Sequence, residues 1–150
     1  MRRLLVIALA AFAVVAVPAI GAGSKFTATL NGKSETPKSN SKATGSATVT
    51  ISGKTIKYSL SAKGLTGPTQ AAHIHYGKPG QAGPVIFPIC AKPCSLPKSG
   101  TLTSKNFAKA PGVTSFAAAL KAIRAGRTYV NIHTKKHPAG EIRGQLKSSR

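Results

Sequence analysis

The chain has 150 residues, which is enough for one domain with a modest core. Lysine and arginine together number 22 against two acidic residues, so the formal net charge is +20. With only Glu35 and Glu141 as carboxylates, the sequence has no paired-acid spacing for glycoside cleavage, and it has no nucleophile elbow or phosphate-binding loop. We therefore expect a protein that is not an enzyme.

The first 23 residues have the pattern of a secretory signal peptide. Two arginines precede an almost unbroken apolar run over residues 4–17, and small residues follow it. The run is shorter than the about 20 apolar residues of a membrane span, and an uncleaved anchor is the alternative. We expect cleavage between residues 22 and 25, and a secreted or cell-envelope domain over residues 24–150.

The charge of the exported part points to anionic partners. Without Arg2 and Arg3 the chain still carries a formal charge of +18, and such a field attracts polyanionic cell-surface polymers. The basic residues are scattered and few aromatic residues accompany them, whereas specific nucleic-acid readers usually cluster their cations on one element. We expect non-specific, salt-sensitive binding to polyanions and no recognition of a nucleic-acid sequence.

In chain order, the first half alternates apolar and polar residues, which is typical of half-buried strands. Residues 26–30 predict one strand. Residues 33–42 are polar and predict a loop. Residues 43–51 and 55–61 then predict a hairpin with a tight turn between them.

The second half contains the one predicted helix. Residues 85–87 predict a buried strand that ends at Pro88, and residues 100–103 predict another strand. Apolar residues then recur at helical spacing over residues 115–125. Seven or eight short strands with turn signals between them favour an all-β sandwich with one short helix.

Cys90 and Cys94 are the only cysteines. In an exported protein, a close pair of cysteines is most simply a disulfide. A redox motif would have two residues between the cysteines, and a zinc site would need a second cysteine or histidine pair nearby. We expect a Cys90–Cys94 disulfide that fixes the shape of one loop.

Two segments carry three of the four histidines. His73 and His75 occupy alternate positions of a predicted strand, so they share a face and lie about 7 Å apart. The glycines within residues 77–83 allow the chain to fold back beside them. His133 lies on a later predicted strand over residues 128–134. We expect the three histidines to converge on one site.

A metal centre is the specific hypothesis for these histidines. Neutral imidazole binds copper and zinc, so His73, His75 and His133 are candidate ligands, and His137 or Glu141 could complete the shell. The alternative is that the histidines donate hydrogen bonds that tie loops to the sheet. The residues alone leave both roles open.

The two carboxylates are expected to have definite partners because the surface otherwise avoids acidic residues. Glu141 precedes Arg143 by two positions and follows the turn that contains His137. A buried ion pair with Arg143, or a hydrogen bond to a ligating histidine, would each explain Glu141. For Glu35, Glu141, Arg143 and His137 we therefore expect supporting or structural roles.

Two long motifs resemble those of the CHRD domain, the module named after chordin. Residues 71–85, A-A-H-I-H-x-G-x-x-G-x-x-G-P-V, are similar to its central motif. Residues 126–146 resemble its C-terminal signature, and the segments over residues 26–37 and 58–67 fit its N-terminal half. The resemblance implies an extracellular, antiparallel Greek-key β-sandwich or barrel, immunoglobulin-like or Cu/Zn superoxide dismutase-like in shape.

The resemblance implies little biochemistry, and the partner of chordin is not carried over to a solitary domain. Lys38, His137, the high charge and the cysteine loop depart from the usual pattern of the family. We expect a secreted binding or surface-interaction module without established catalysis. The alternative is a copper- or zinc-binding extracellular protein, with redox chemistry as one possible use of the metal.

Overall fold

A computed structural model describes residues 23–92 and 94–149 of the chain. The expected signal peptide lies outside the described residues except for its last position, so its cleavage stays a prediction. Within the described part, no helix is long and apolar enough to cross a membrane.

The described residues form nine strands and one α-helix, α1 (Phe116–Arg124). The strands are β1 (Ser24–Asn31), β2 (Thr44–Ser52), β3 (Thr55–Lys63), β4 (Thr69–Tyr76), β5 (Val85–Cys90), β6 (Lys98–Leu102), β7 (Thr128–Thr134), β8 (Ile142–Gln145) and β9 (Lys147–Ser148). They pair antiparallel in the order β5-β4-β7-β8-β1-β2-β3-β6, and β9 pairs with β1. The sheet nearly closes into a barrel, which confirms the expected all-β fold with one short helix.

Alternation along the strands fills the barrel with apolar side chains. In the predicted hairpin, Val49 of β2 lies opposite Tyr58 of β3, and Ile51 lies opposite Ile56. All four side chains are buried. Burying an aliphatic side chain of this size contributes about 1.5–3 kcal/mol, so the inward face of this hairpin is a main part of the core.

β5 continues through Pro88, so the prediction that this strand ends there is wrong. The strand runs to Cys90, and Pro88 lies opposite His73 next to a register shift. β5 stands at one end of the strand order. A proline lacks the N–H that a central strand needs, but an edge strand can leave that position unpaired.

The helix begins and ends close to the predicted positions. Ser115 caps its N-terminus, because its Oγ accepts a hydrogen bond from the Ala118 backbone N–H at 3.1 Å. Leu120 and Ile123 are buried. The apolar side of the helix therefore packs on the barrel, as its spacing predicts.

Cys90 and Cys94 form a disulfide, which confirms the pairing expected from the sequence. The bond closes a short loop directly after β5. A loop of this length limits the entropic stabilisation to about 2 kcal/mol. The disulfide therefore fixes local shape more than it stabilises the whole domain.

Candidate metal centre

A layer of polar side chains crosses the face of the sheet that points away from the core. His73 on β4 lies opposite Asn131 on β7, and Asn131 lies opposite Arg143 on β8. Two residues along β4, His75 lies opposite Tyr129. Because successive side chains alternate between the faces of a strand, these residues share the outer face.

The three predicted histidines meet in this layer. His133 lies opposite Ala71, so it is a diagonal neighbour of His73. The Nδ1 atom of His73 lies 3.2 Å from Nε2 of His133. One ring nitrogen of His73, His75 and His133 each lies within 4.8 Å of the other two. The expected convergence is therefore confirmed, while metal binding stays a prediction.

His75 offers a free ring nitrogen to the cluster. Its side chain is only 9% exposed, and its Nδ1 lies 2.8 Å from the carbonyl oxygen of Gly83. A carbonyl only accepts, so Nδ1 carries the proton and Nε2 carries the lone pair. Among the described residues this buried Nε2 has no hydrogen-bond partner. Leaving a buried acceptor unpaired costs about 1–3 kcal/mol.

His133 has the same arrangement. Its Nδ1 donates to the carbonyl oxygen of Pro138 at 2.9 Å, so its Nε2 carries the lone pair that faces His73. Metal-binding histidines commonly donate their second ring N–H to a backbone carbonyl, which fixes the ring. The same two carbonyl bonds also tie the loops over residues 77–84 and 135–140 to the sheet.

All three imidazoles are held in the neutral form that binds metal. Burial, followed by the charges of His133 and His75, lowers the pKa of His73 to about 4. Burial lowers the pKa of His75, although the hydrogen bond to Gly83 opposes the shift. Burial also lowers the pKa of His133. At neutral pH the cluster therefore presents uncharged nitrogens.

The glycine-rich loop reaches the cluster because of Gly83. A Cβ atom at this position would lie 1.7 Å from the carbonyl oxygen of Tyr76, so a larger residue does not fit. The Gly83 backbone N–H donates to the hydroxyl of Tyr129 at 3.1 Å. Tyr129 in turn stacks on His75, with 4.8 Å between the ring centres. The loop thus holds the His75 ring in one orientation.

The cluster is open on one side. A cavity of about 450 Å³ lies against His73 and His133, with Lys135 on its wall. A metal held by three protein ligands with an open fourth position can take up water or a small ligand. The site therefore has room for an exchangeable fourth ligand.

Glu141 is fully buried and has a structural role. Its carboxylate accepts hydrogen bonds from the Ser41 hydroxyl, from the Thr66 N–H and hydroxyl, and from the Thr134 hydroxyl. Burial raises the pKa of Glu141, but these hydrogen bonds outweigh it and the pKa lies below its usual value. Neither Arg143 nor a histidine is among these hydrogen-bond partners. Glu141 instead ties two loops of the N-terminal half to β7.

Glu35 covers the middle of the polar layer. The Asn131 amide donates to its Oε1 at 2.5 Å. Burial raises the pKa of Glu35 to about 7, although nearby Arg143 lowers it. A Cβ atom at Gly140 would lie 2.7 Å from the same Oε1. The close glycine turn leaves just enough space for the carboxyl group.

The other two residues singled out from the sequence lie outside the histidine cluster. The guanidinium carbon of Arg143 lies 3.4 Å from the centre of the Tyr129 ring, and its Nη2 donates to the Lys78 carbonyl at 3.0 Å. His137 lies in the turn after β7, where its backbone exchanges hydrogen bonds with that of Thr134. The group of converging ligand atoms does not include His137 or Glu141, so the expectation that one of them completes the shell is not supported.

Some residues that shape the site were not singled out from the sequence. Period-two alternation places Tyr129 and Asn131 on the same strand face as His133. The sequence pattern was therefore enough to identify them as residues near the site. Gly83 and Pro138 supply the carbonyl groups that fix two of the histidine rings. These residues lie in loops, where no periodic pattern indicates a contact.

The fold and the cluster define an all-β module with histidines gathered on its outer face. The chain belongs to the CHRD domain family, since the family model described as CHRD domain matches residues 26–146. This membership supports a non-catalytic module in general terms. Searches of curated proteins and of solved structures find no significant match.

Proposed function

We propose that this protein is a secreted, non-enzymatic binding module that holds copper or zinc through His73, His75 and His133. The observation that carries the proposal is the buried Nε2 of His75, which has no partner among the described residues and belongs to a group of three converging imidazoles. A polar atom in this position is usually paired in a native protein, and a metal ion would pair it.

The distances suit a shared metal ion. Two nitrogens bound at about 2.0–2.1 Å to a tetrahedral zinc lie roughly 3.3 Å apart. The 3.2 Å between Nδ1 of His73 and Nε2 of His133 matches that separation. The widest separation in the group is within 4.8 Å, so a small inward movement of a ring completes the set. For Nδ1 of His73 to bind the metal, the proton that it donates to His133 would move to Nε2 of the same ring, which keeps the imidazole neutral.

The ligand set favours zinc and copper over harder ions. Imidazole suits both metals, and copper(II) binds such sites more tightly than zinc(II). Calcium and magnesium prefer oxygen ligands, and the converging group contains no carboxylate. Both proposed metals fit the three nitrogens.

In the alternative role, the histidines only tie loops to the sheet and hydrogen-bond to each other. Nδ1 of His75 and Nδ1 of His133 each donate to a loop carbonyl oxygen. That role leaves Nε2 of His75 buried and unpaired at a cost of about 1–3 kcal/mol. The metal role also gives Nε2 of His75 a partner, so we favour it.

Calorimetric titration of the purified domain with zinc chloride tests the proposal. The metal-free protein should bind one ion, and His133→Ala should reduce the affinity by about a hundredfold or more. His137→Ala is the matched control, because this histidine lies four residues away and outside the cluster. A wild-type protein that binds no zinc or copper, or equal losses in both variants, would contradict the metal role.

The positive charge supports a second part of the proposal, which is non-specific attraction to anionic surfaces. The exported part of the chain has a formal charge of +18. Such a surface attracts acidic cell-surface polymers through a field that falls off over about 8 Å at physiological salt. We propose that this attraction keeps the secreted module near anionic surfaces.

A further inference from the structure

A wide groove lies on the outer face of the sheet, next to β1, β8 and β9. It has a volume of about 780 Å³ and is bordered by residues 33–38 and by the turn at residues 79–80. Four cationic residues line it: Lys33, Lys38, Lys147 and Arg143. We call this region the basic groove.

Arg143 is a buried cation in the wall of the basic groove, held in place by its neighbours. Its side chain is only 2% exposed, and the cation stacks on Tyr129 at 3.4 Å. Its Nη2 donates to the Lys78 carbonyl at 3.0 Å, and its Nη1 lies 3.5 Å from the Thr36 hydroxyl. Both acceptors are neutral. Taking a charge out of water is costly without an opposite charge, so the groove wall holds a cation that an anionic ligand would neutralise.

One carboxyl group faces these four cations. Glu35 lines the basic groove, but its Oε1 already accepts the Asn131 amide at 2.5 Å. Burial raises the pKa of Glu35 to about 7, so near neutral pH the group is only partly ionised. The groove therefore keeps a positive potential that complements an anion.

The neutral part of the lining distinguishes between kinds of anion. Thr27, Thr29, Asn31 and Gln145 line the basic groove with hydroxyl and amide groups. Such groups hydrogen-bond sugar hydroxyls. Among the described residues that line it there is no aromatic side chain, whereas proteins that hold single-stranded nucleic acid stack bases on aromatic rings.

We propose that the basic groove binds a short stretch of an acidic polysaccharide, a sugar polymer with repeated carboxylate groups. Arg143 pairs with one carboxylate through its planar fork, and the three lysines neutralise the next ones along the chain. The volume lies in the range of about 300–1,000 Å³ that is common for small-ligand sites. The inference deepens the polyanion proposal made above, on which it rests, and it is independent of the metal centre.

The probe is a short oligogalacturonate, titrated into the purified domain at about 0.15 M salt with EDTA present. The groove variant combines Lys33→Ala, Lys38→Ala and Lys147→Ala, which are exposed positions and should leave the fold intact. We expect this variant to bind the probe about tenfold more weakly or worse.

The matched control removes the same charge elsewhere. It combines Lys54→Ala, Lys57→Ala and Lys105→Ala, which are exposed and do not line the basic groove. We expect its affinity to fall by no more than about threefold, because only the screened general field changes. Equal losses of affinity in the two triple variants would overturn the proposed binding site in the basic groove. Such a result would still agree with a general attraction of the charged surface to polyanions.

Additional probes and one further variant test whether any polyanion binds and which class of anion the basic groove prefers. If the wild type binds neither the short probe nor long polygalacturonate and heparin, the groove and the polyanion proposal both fail. If single-stranded DNA depends on the groove lysines more strongly than the oligogalacturonate does, the ligand class is overturned in favour of nucleic acid. Arg143→Lys keeps the charge but removes the planar fork, and we expect it to weaken the oligogalacturonate more than the DNA.

Discussion

The Nδ1 atom of His73 lies 3.2 Å from the Nε2 atom of His133, although 60 residues separate them in the chain. The contact arises because β4 and β7 are antiparallel neighbours and the two residues are diagonal across the ladder. His75 completes the set from two positions further along β4. The site therefore depends on one strand pairing, which the barrel core fixes.

Metal binding should release few protons in weakly acidic solution. Three ordinary imidazoles would hold about 1.5 protons in total at a pH of about 6.5, and a metal would displace them. Here burial and the neighbouring histidines lower the pKa of His73 to about 4, and burial lowers those of His75 and His133. We expect clearly fewer than one proton per ion, measured by calorimetry in buffers of different ionisation enthalpy.

The same pKa shifts set the direction of the pH dependence. Because a protonated imidazole does not bind metal, affinity should change little above the ordinary value of 6.5 and should fall as the pH decreases below it, with the contribution of His73 lost as the pH falls through about 4. A midpoint above the ordinary histidine pKa would show that the rings are not shielded in the way the structure indicates.

Glu141→Gln should destabilise the domain by about 2–4 kcal/mol. The buried carboxylate accepts hydrogen bonds from Ser41, Thr66 and Thr134. In glutamine an NH2 group replaces one of the two carboxylate oxygens. That group only donates, so it would face hydrogen-bond donors with no acceptor between them. Urea unfolding followed by circular dichroism measures the free energy of unfolding.

Ser46→Ala is the control for Glu141→Gln. Its hydroxyl makes an exposed bond to that of Ser61 at 2.9 Å, and removing it should change stability by no more than about 0.5 kcal/mol. A Glu141→Gln variant as stable as this control would mean that the hydroxyl network contributes little.

Period-two alternation predicts a large part of this molecule. It places His73 and His75 on one face and Val49 and Ile51 on the other side of the sheet, toward the core. It also predicts that His133 lies on a strand. These features depend only on neighbours in the chain, which is why a single sequence carries them.

The remaining features depend on contacts between distant parts of the chain. Periodicity does not say that β5 is an edge strand, so it did not predict that the strand continues through Pro88. It also does not say which loops reach Glu141. Its partner Ser41 lies 100 residues away in the chain, and its partner Thr66 lies 75 residues away. Such partners follow from barrel closure and not from local pattern.

Glu35→Gln should change the pH dependence of stability in a defined window. The pKa of Glu35 is about 7 in the folded chain against an ordinary value of 4.5. The stability that the protonated carboxyl contributes is fully present below 4.5 and is lost as the pH rises through about 7. Glutamine stays neutral at every pH, so the loss should disappear.

The informative quantity is the difference in unfolding free energy between Glu35→Gln and the wild type, measured with EDTA at several pH values. This difference should increase from a pH of 4.5 to 7 in favour of the variant. A difference that does not change over this range would mean that Glu35 titrates normally.

The secreted protein should begin between residues 22 and 25, because small residues before this point suit signal peptidase. Intact-mass measurement of protein from the culture medium and from the membrane fraction of the native host checks this. Recovery of the full-length chain in the membrane fraction would contradict secretion and support the uncleaved anchor.

The central claim is that three imidazoles share one metal ion. X-ray absorption spectroscopy of the zinc-loaded domain tests it most directly, because it counts the ligands and measures their distances. We predict scattering from three imidazole nitrogens at about 2.0–2.1 Å, with one imidazole lost in His133→Ala and none lost in His137→Ala. A spectrum with fewer than three imidazoles, or one that changes only in His137→Ala, would contradict the three-histidine centre.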